Sequence, residues 1–289
     1  MNTFTENMEC RREAPIGVFD SGIGGLTVAR EIMRNLPSEK IVYFGDTARL
    51  PYGNKSKETI IRFSRQITRF LIRQDVKAIV IACNTASAFA LETIKKEINI
   101  PVIGVIDAGA AVAASVTKNH RVGVIGTVGT ISSGIHAEHL HRLDPEIEVI
   151  GKACPLFVPL AEEGWLDDPV TEAVAHRYLD SLKEKDIDTL ILGCTHYPLL
   201  RNLIGRVMGS HVRLVNPAYE TALELKQLLE DRNMLCSSAD TEEFPYRFFV
   251  SDLAEEFKKF ANSILPYNVE MTRKVDLELL FSTGQSTWC

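Results

Sequence analysis

The sequence predicts an α/β protein made of two small, doubly wound parallel sheets that face each other. Three observations carry this expectation. Short β-branched runs alternate with longer amphipathic stretches along most of the chain, as in successive βαβ units. The pattern of the first half recurs in the second. In both halves the residues just after the apolar runs are chemically loaded, and that is where open parallel sheets bind ligands.

The first half places strands over 16–19, 41–44, 78–82 and 102–106. Between the second and third lies 56–73, where Ile60, Phe63, Ile67, Phe70 and Leu71 share one helical face. The second half places strands over 121–125, 147–150, 189–192 and 212–215. Ile16-Gly17-Val18-Phe19 corresponds to Val122-Gly123-Val124-Ile125, 106 residues on, and Ile41-Val42-Tyr43-Phe44 to Ile147-Glu148-Val149-Ile150 at the same offset. Ala78 through Cys83 corresponds to Thr189 through Cys194 at an offset of 111, which aligns two cysteines. The boundary is expected near Asp107-Ala108-Gly109 and the return near Asn216-Pro217. A polar tail (1–14), a first domain (15–107 plus 217–289) and a second (108–216) follow. In the returning part, 219–231 is amphipathic, 246–250 is strand-like and 237–243 is a polar surface loop.

Composition narrows the function. Of 289 residues, 38 are acidic and 32 basic, for a net charge of −6. That balance argues against a nucleic-acid or anionic-membrane partner, which needs concentrated positive charge. No uncharged apolar run approaches the ~20 residues of a membrane span. The charged N-terminal stretch does not read as a signal peptide. Six cysteines at 10, 83, 154, 194, 236 and 289 form no CxxC pair. They suggest individual thiols in a reducing cytoplasm rather than a disulfide framework.

Five strand-end segments are candidates for chemistry. Asp20-Ser21-Gly22-Ile23-Gly24-Gly25 precedes a helix, whose first N–H groups attract anions; it is not GxGxxG, and Asp20 would repel a phosphate. The loop Gly45 to Asn54 is long and rich in turn formers, including Tyr52 and Gly53. Cys83-Asn84-Thr85 ends a strand and opens a helix, where the helix dipole lowers a thiol pKa and Asn or Thr can cap or bind. Gly193-Cys194-Thr195-His196 repeats that arrangement and adds an imidazole. Glu162 and Glu163 supply a carboxylate that could orient His196. His136, His139 and His141 superficially resemble a metal cluster, but only the first two share a helical face, and no metal is expected. Cys10, Cys154, Cys236 and Cys289 have no comparable setting.

Two equivalent thiols facing each other suit a nearly mirror-symmetric reaction: inversion at a carbon, one thiolate removing a proton and the other thiol delivering one. A cysteine hydrolase would leave Cys194 redundant, and an amino-acid sensor would need neither thiol. IGVFDSGIGG (16–25), FGDTARLPYG (44–53), IACNTAS (81–87) and LGCTHYP (192–198) closely resemble the glutamate racemases of the aspartate/glutamate racemase superfamily, from about residue 16 to 277. The resemblance implies two flavodoxin-like domains around a buried site. It also implies cofactor-independent interconversion of L- and D-glutamate, the latter for peptidoglycan. It makes Cys83 and Cys194 the acid/base pair and Asp20-Ser21, Tyr52-Gly53, Asn84-Thr85 and Thr195-His196 the substrate contacts. Asp20, His196 and a glutamate, Glu162 or Glu163, would assist proton transfer. Aspartate racemase is the nearest alternative. The implied partner is the small substrate, with no nucleic acid or membrane, and a homodimer is the assembly to test. The polar extension before Ile16 and the tail ending in Trp288-Cys289 are departures from the family pattern.

Overall fold

The computed structural model describes residues 12–237 and 245–281. The expected loop at 237–243 falls almost wholly outside them, as do Cys10, Trp288 and Cys289. Among the described residues the strands are β1 (Ile16–Asp20), β2 (Ile41–Gly45), β3 (Ala78–Ile81), β4 (Val102–Gly104), β5 (Arg121–Gly126), β6 (Glu148–Ala153), β7 (Thr189–Gly193), β8 (Arg213–Val215), β9 (Tyr246–Val250) and β10 (Thr272–Lys274). The helices are α1 (Leu26–Asn35), α2 (Lys57–Ile72), α3 (Asn84–Glu97), α4 (Ile106–Val116), α5 (Val128–Ser132), α6 (Ile135–Leu143), α7 (Phe157–Glu162), α8 (Pro169–Lys183), α9 (Arg201–Met208), α10 (Pro217–Asp231), α11 (Ala254–Ile264) and α12 (Leu277–Phe281).

Two sheets result, with every pairing parallel. One runs β10-β9-β2-β1-β3-β4 and the other β6-β5-β7-β8. Without β9 and β10 the two orders are the same, and both match the doubly wound flavodoxin-like arrangement. The central strands β1, β3, β5 and β7 are buried almost throughout, and each sheet has an apolar cluster on both faces. Burial on both faces is why these strands read as continuous apolar runs rather than alternating ones.

The repeat holds, with one slip. β1 aligns Ile16 with Ile41 and Ala78, while β5 aligns Val122 with Val149 and Thr189. The β3/β7 correspondence is therefore the expected one, whereas Ile41 matches Val149, two residues beyond Ile147. β6 is an edge strand with half-exposed residues, so its apolar run does not mark its position. A slip of two keeps the same side chains on the same face, so the alternation cannot reveal it.

Helix limits follow local chemistry. α2 starts where Ser56 accepts from the Thr59 amide, and α10 starts at Pro217 with Asn216 accepting from the Ala218 amide. Asp107-Ala108-Gly109 lies in the first turn of α4 rather than in a linker loop. Ala110 and Ala113 of α4 join the apolar cluster on the second sheet, and α10 packs on both α1 and α4. A Cβ on Gly109 would meet the Pro217 ring at 3.0 Å, so the two crossing helices touch where the chain leaves and returns. β10 is a further difference: it was not expected, because three polar residues carry no strand pattern.

Candidate active site

The carboxyl ends of both sheets deliver their loops to one small cavity. Ser21, Tyr52, Gly53, Cys83, Asn84 and Thr85 line it from the first half, and Thr127, Glu162, Cys194, Thr195 and His196 from the second. Asp20 lies behind these residues, fully buried. Two glycines permit the close approach. A Cβ on Gly53 would fall 2.6 Å from the Thr127 Cβ, and one on Gly24 would collide with Thr195 and His196. Across the same seam the Thr27 hydroxyl donates to the Thr195 carbonyl at 3.0 Å. The cavity is about 40 Å³, little more than one water's share of volume.

The two thiols stand at equivalent places with different neighbours. Cys83 is the N-cap residue of α3, and its Sγ donates to Ser21 Oγ at 3.5 Å. A helix start by itself would lower its pKa. Instead, burial pushes the Cys83 thiol up to about 12, and the Asp20 charge adds to this; the Ala86 amide and the Ser21 hydroxyl pull the other way without prevailing. Asp20 accepts from the Gly22 amide at 2.9 Å and from the Thr195 hydroxyl at 3.5 Å. Burial still holds its carboxyl above the usual range, against the charge of His196 and three backbone amides.

Cys194 Sγ is 3.8 Å from His196 Nδ1, and His196 Nε2 is 3.0 Å from Glu162 Oε1. Burial alone would lower the imidazole. The hydrogen bonds to Cys194 and Glu162 and their charges outweigh it and push His196 up to about 10. Glu162 is thus the carboxylate that meets His196, while its neighbour Glu163 is exposed to solvent.

All the expected site residues gather here, along with some that were missed. Thr85 Oγ1 lies 3.0 Å from both Thr127 Oγ1 and Thr130 Oγ1, a threonine triangle that joins the halves. The repeat contained a signal for Thr127, since the 106-residue offset that aligns β1 with β5 maps Ser21 onto it. Asn84 Oδ1 is buried with no hydrogen-bond partner, so it is an acceptor awaiting a donor. The histidines of α6 do not converge on a common centre. His139 pairs with Asp107, His141 meets the Ile147 carbonyl, and His136 is buried and pushed down to about 4 by desolvation. Cys154 sits in the core of the second half, and burial pushes its thiol up to about 12.

Comparisons with known proteins identify the family. The family model described as Asp/Glu/Hydantoin racemase matches residues 16–224. The glutamate racemase of Geobacter metallireducens is 50% identical over 263 residues, covering 91% of this chain and 97% of the relative. A crystal structure of a glutamate racemase isoform from Bacillus anthracis superposes with a TM-score of 0.88 at 42% identity, covering 92% of this chain and 98% of that one. The Francisella tularensis glutamate racemase, solved in complex with D-glutamate, superposes with a TM-score of 0.86 at 41% identity, covering 93% and 99%. The chain belongs to the Asp/Glu/Hydantoin racemase family, among its glutamate racemases.

Proposed function

We propose that this protein interconverts L- and D-glutamate without a cofactor, using Cys83 and Cys194 as acid and base on opposite faces of the α-carbon. The observation that carries the reading is that two buried thiols, at matched strand ends of a repeated fold, line one cavity. Substrate identity rests on likeness to glutamate racemases, one of them solved with D-glutamate.

From L-glutamate, the Cys194 thiolate removes the α-proton while the Cys83 thiol delivers one to the other face; D-glutamate reverses the roles. A Cys83 thiol held protonated by burial is ready to act as the acid. His196, held as imidazolium between Cys194 and Glu162, handles the proton on the second side, and Asp20 does so on the first. The amides at the start of α3 and the hydroxyls of Ser21, Thr85 and Thr195 suit substrate carboxylates, and the orphaned Asn84 Oδ1 suits the ammonium. Backbone at Tyr52-Gly53 closes the cavity. Shielding from water strengthens each of these contacts while carbanion charge develops.

The same reading places the protein in the cytoplasm, supplying D-glutamate for peptidoglycan, with a homodimer as the assembly to test. It divides the chain into a tail (1–14), a first domain (15–107 plus 217–289) and a second (108–216). Sheet membership of the strands supports that division.

The test is solvent exchange. Incubated with L-glutamate in D₂O, the enzyme should yield early D-glutamate carrying deuterium at Cα while recovered L-glutamate stays nearly unlabelled. Substantial unlabelled product in the first few per cent of conversion would mean a single base serves both faces. Faster turnover of L-aspartate than of L-glutamate would overturn the substrate assignment.

A further inference from the structure

The loop that brings Tyr52 and Gly53 to the cavity is not held by its own residues alone. Its anchor is Asp46, a fully buried carboxylate. Arg49 Nε donates to both of its oxygens, at 2.8 and 2.9 Å, and the Tyr52 hydroxyl donates to Oδ2. The Arg49 guanidinium in turn stacks 4.0 Å from the centre of the Phe63 ring. A carboxylate accepting from one cation and one phenol has a lone pair to spare on Oδ1. Ser251 fills it, with Oγ donating at 2.9 Å.

Ser251 belongs to the part of the chain that returns after the second sheet. It follows β9 directly, and β9 pairs with β2 so that Val250 lies beside Gly45. The Ser251 amide donates to the Gly45 carbonyl at 3.1 Å, and its Oγ also accepts from the Ala48 amide at 2.8 Å. The next residue continues the clasp. The Asp252 amide donates to Thr47 Oγ1 at 2.9 Å, and the Thr47 hydroxyl donates to the Asp252 carbonyl. Lys274, at the end of β10, holds the Asp252 carboxylate at 2.6 Å. Two returning residues therefore bond to four consecutive residues, 45 to 48, at the root of the loop.

We infer that Ser251 and Asp252 are positioning residues: they latch the root of the 46–54 loop so that Tyr52 and Gly53 are preset against the substrate. The returning segment then serves binding as well as the completion of the first sheet. Neither residue touches the cavity; both act through Asp46, Thr47 and Ala48. This inference rests on the assignment of the cavity as the glutamate site. A preset loop lowers the ordering cost of binding, and it helps substrate and transition state equally, so its loss should appear mainly in KM.

The experiment compares Ser251→Ala, Ser251→Thr and Thr47→Val with the wild type, on the full-length protein. Ser251→Ala should raise KM for both enantiomers about tenfold, the worth of one hydrogen bond to a charged group, with kcat within about twofold. Ser251→Thr, which keeps the hydroxyl, should restore KM, and Thr47→Val should repeat the Ser251→Ala effect. Hydrogen exchange of the amides at 47–54 should quicken in Ser251→Ala and Thr47→Val while the β1 and β3 amides stay protected. Unchanged KM and unchanged exchange would overturn the latch. So would a fall in kcat at constant KM, or a uniform loss of protection, since either indicates something other than loop placement. A wild-type protein that did not racemise glutamate would refute the functional reading instead, and the exchange measurement would still decide the latch.

Discussion

The Cys83 side and the Cys194 side of the cavity share one strand plan but surround their thiols differently. Cys83 faces a hydroxyl, Ser21, with the buried carboxyl of Asp20 near enough for its charge to raise the thiol. Cys194 faces an imidazole whose other nitrogen is held by Glu162. A symmetric scaffold thus carries an asymmetric pair. L- and D-glutamate are full mirror images, but the protein that would bind them is chiral, so the two faces of the α-carbon meet different surroundings.

The most damaging way to break this comparison is to remove either thiol. Cys83→Ala and Cys194→Ala should each lower racemisation by at least about 10³-fold, the scale expected for an acid or base in flight, with circular dichroism of the fold unchanged. Near-normal turnover in either variant would end the two-thiol account.

His196→Asn should come next, lowering kcat about 100-fold in the direction that deprotonates L-glutamate and less in the other. Because the enantiomers have equal free energy, kcat/KM must fall equally in both directions, so the asymmetry has to show in kcat and KM separately. Progress curves from each enantiomer, followed by circular dichroism, measure this. Identical kcat losses in both directions would place His196 between the two thiols rather than beside one.

Glu162→Gln should act more gently, by about tenfold on kcat, and should also move the alkaline limb of the pH profile. His196 is held up to about 10 partly by Glu162, so the neutral amide should shift its titration to lower pH. A pH profile that does not move would show that Glu162 only orients the ring.

The smallest expected effect separates the halves by stability. His136 lies buried in the second half, and burial depresses it from 6.5 to about 4. The unfolded chain therefore binds a proton that the folded one refuses. Stability is lost as pH falls from about 6.5 toward 4, on the order of 1 kcal/mol per pH unit. His136→Leu should flatten that slope in urea titrations; an unchanged slope would assign acid sensitivity elsewhere.

What the sequence determined by itself was periodic or punctuated. Runs such as 78–81 and 189–193 are buried on both faces, so they announce themselves as strands. The repeat aligned Cys83 with Cys194 because β3 and β7 hold the same register against β1 and β5, and the polar residues after each run marked the cavity. Other features were decided only by tertiary structure. The half-buried edge strand β6 slipped by two because a shift of two keeps Val149 and Ile150 on apolar clusters, and polar β10 exists only because β9 offers it an edge. Glu162 was separated from Glu163 by which of two adjacent side chains α7 turns toward His196. The helix dipole at Cys83 suggested a lowered pKa, yet burial reversed the direction, since desolvation depends on every element packed around the sulfur. Ser251 reaches Asp46 from 205 residues away, a contact that no local pattern encodes: pairing of β9 with β2 creates it, and that pairing is a property of the folded sheet.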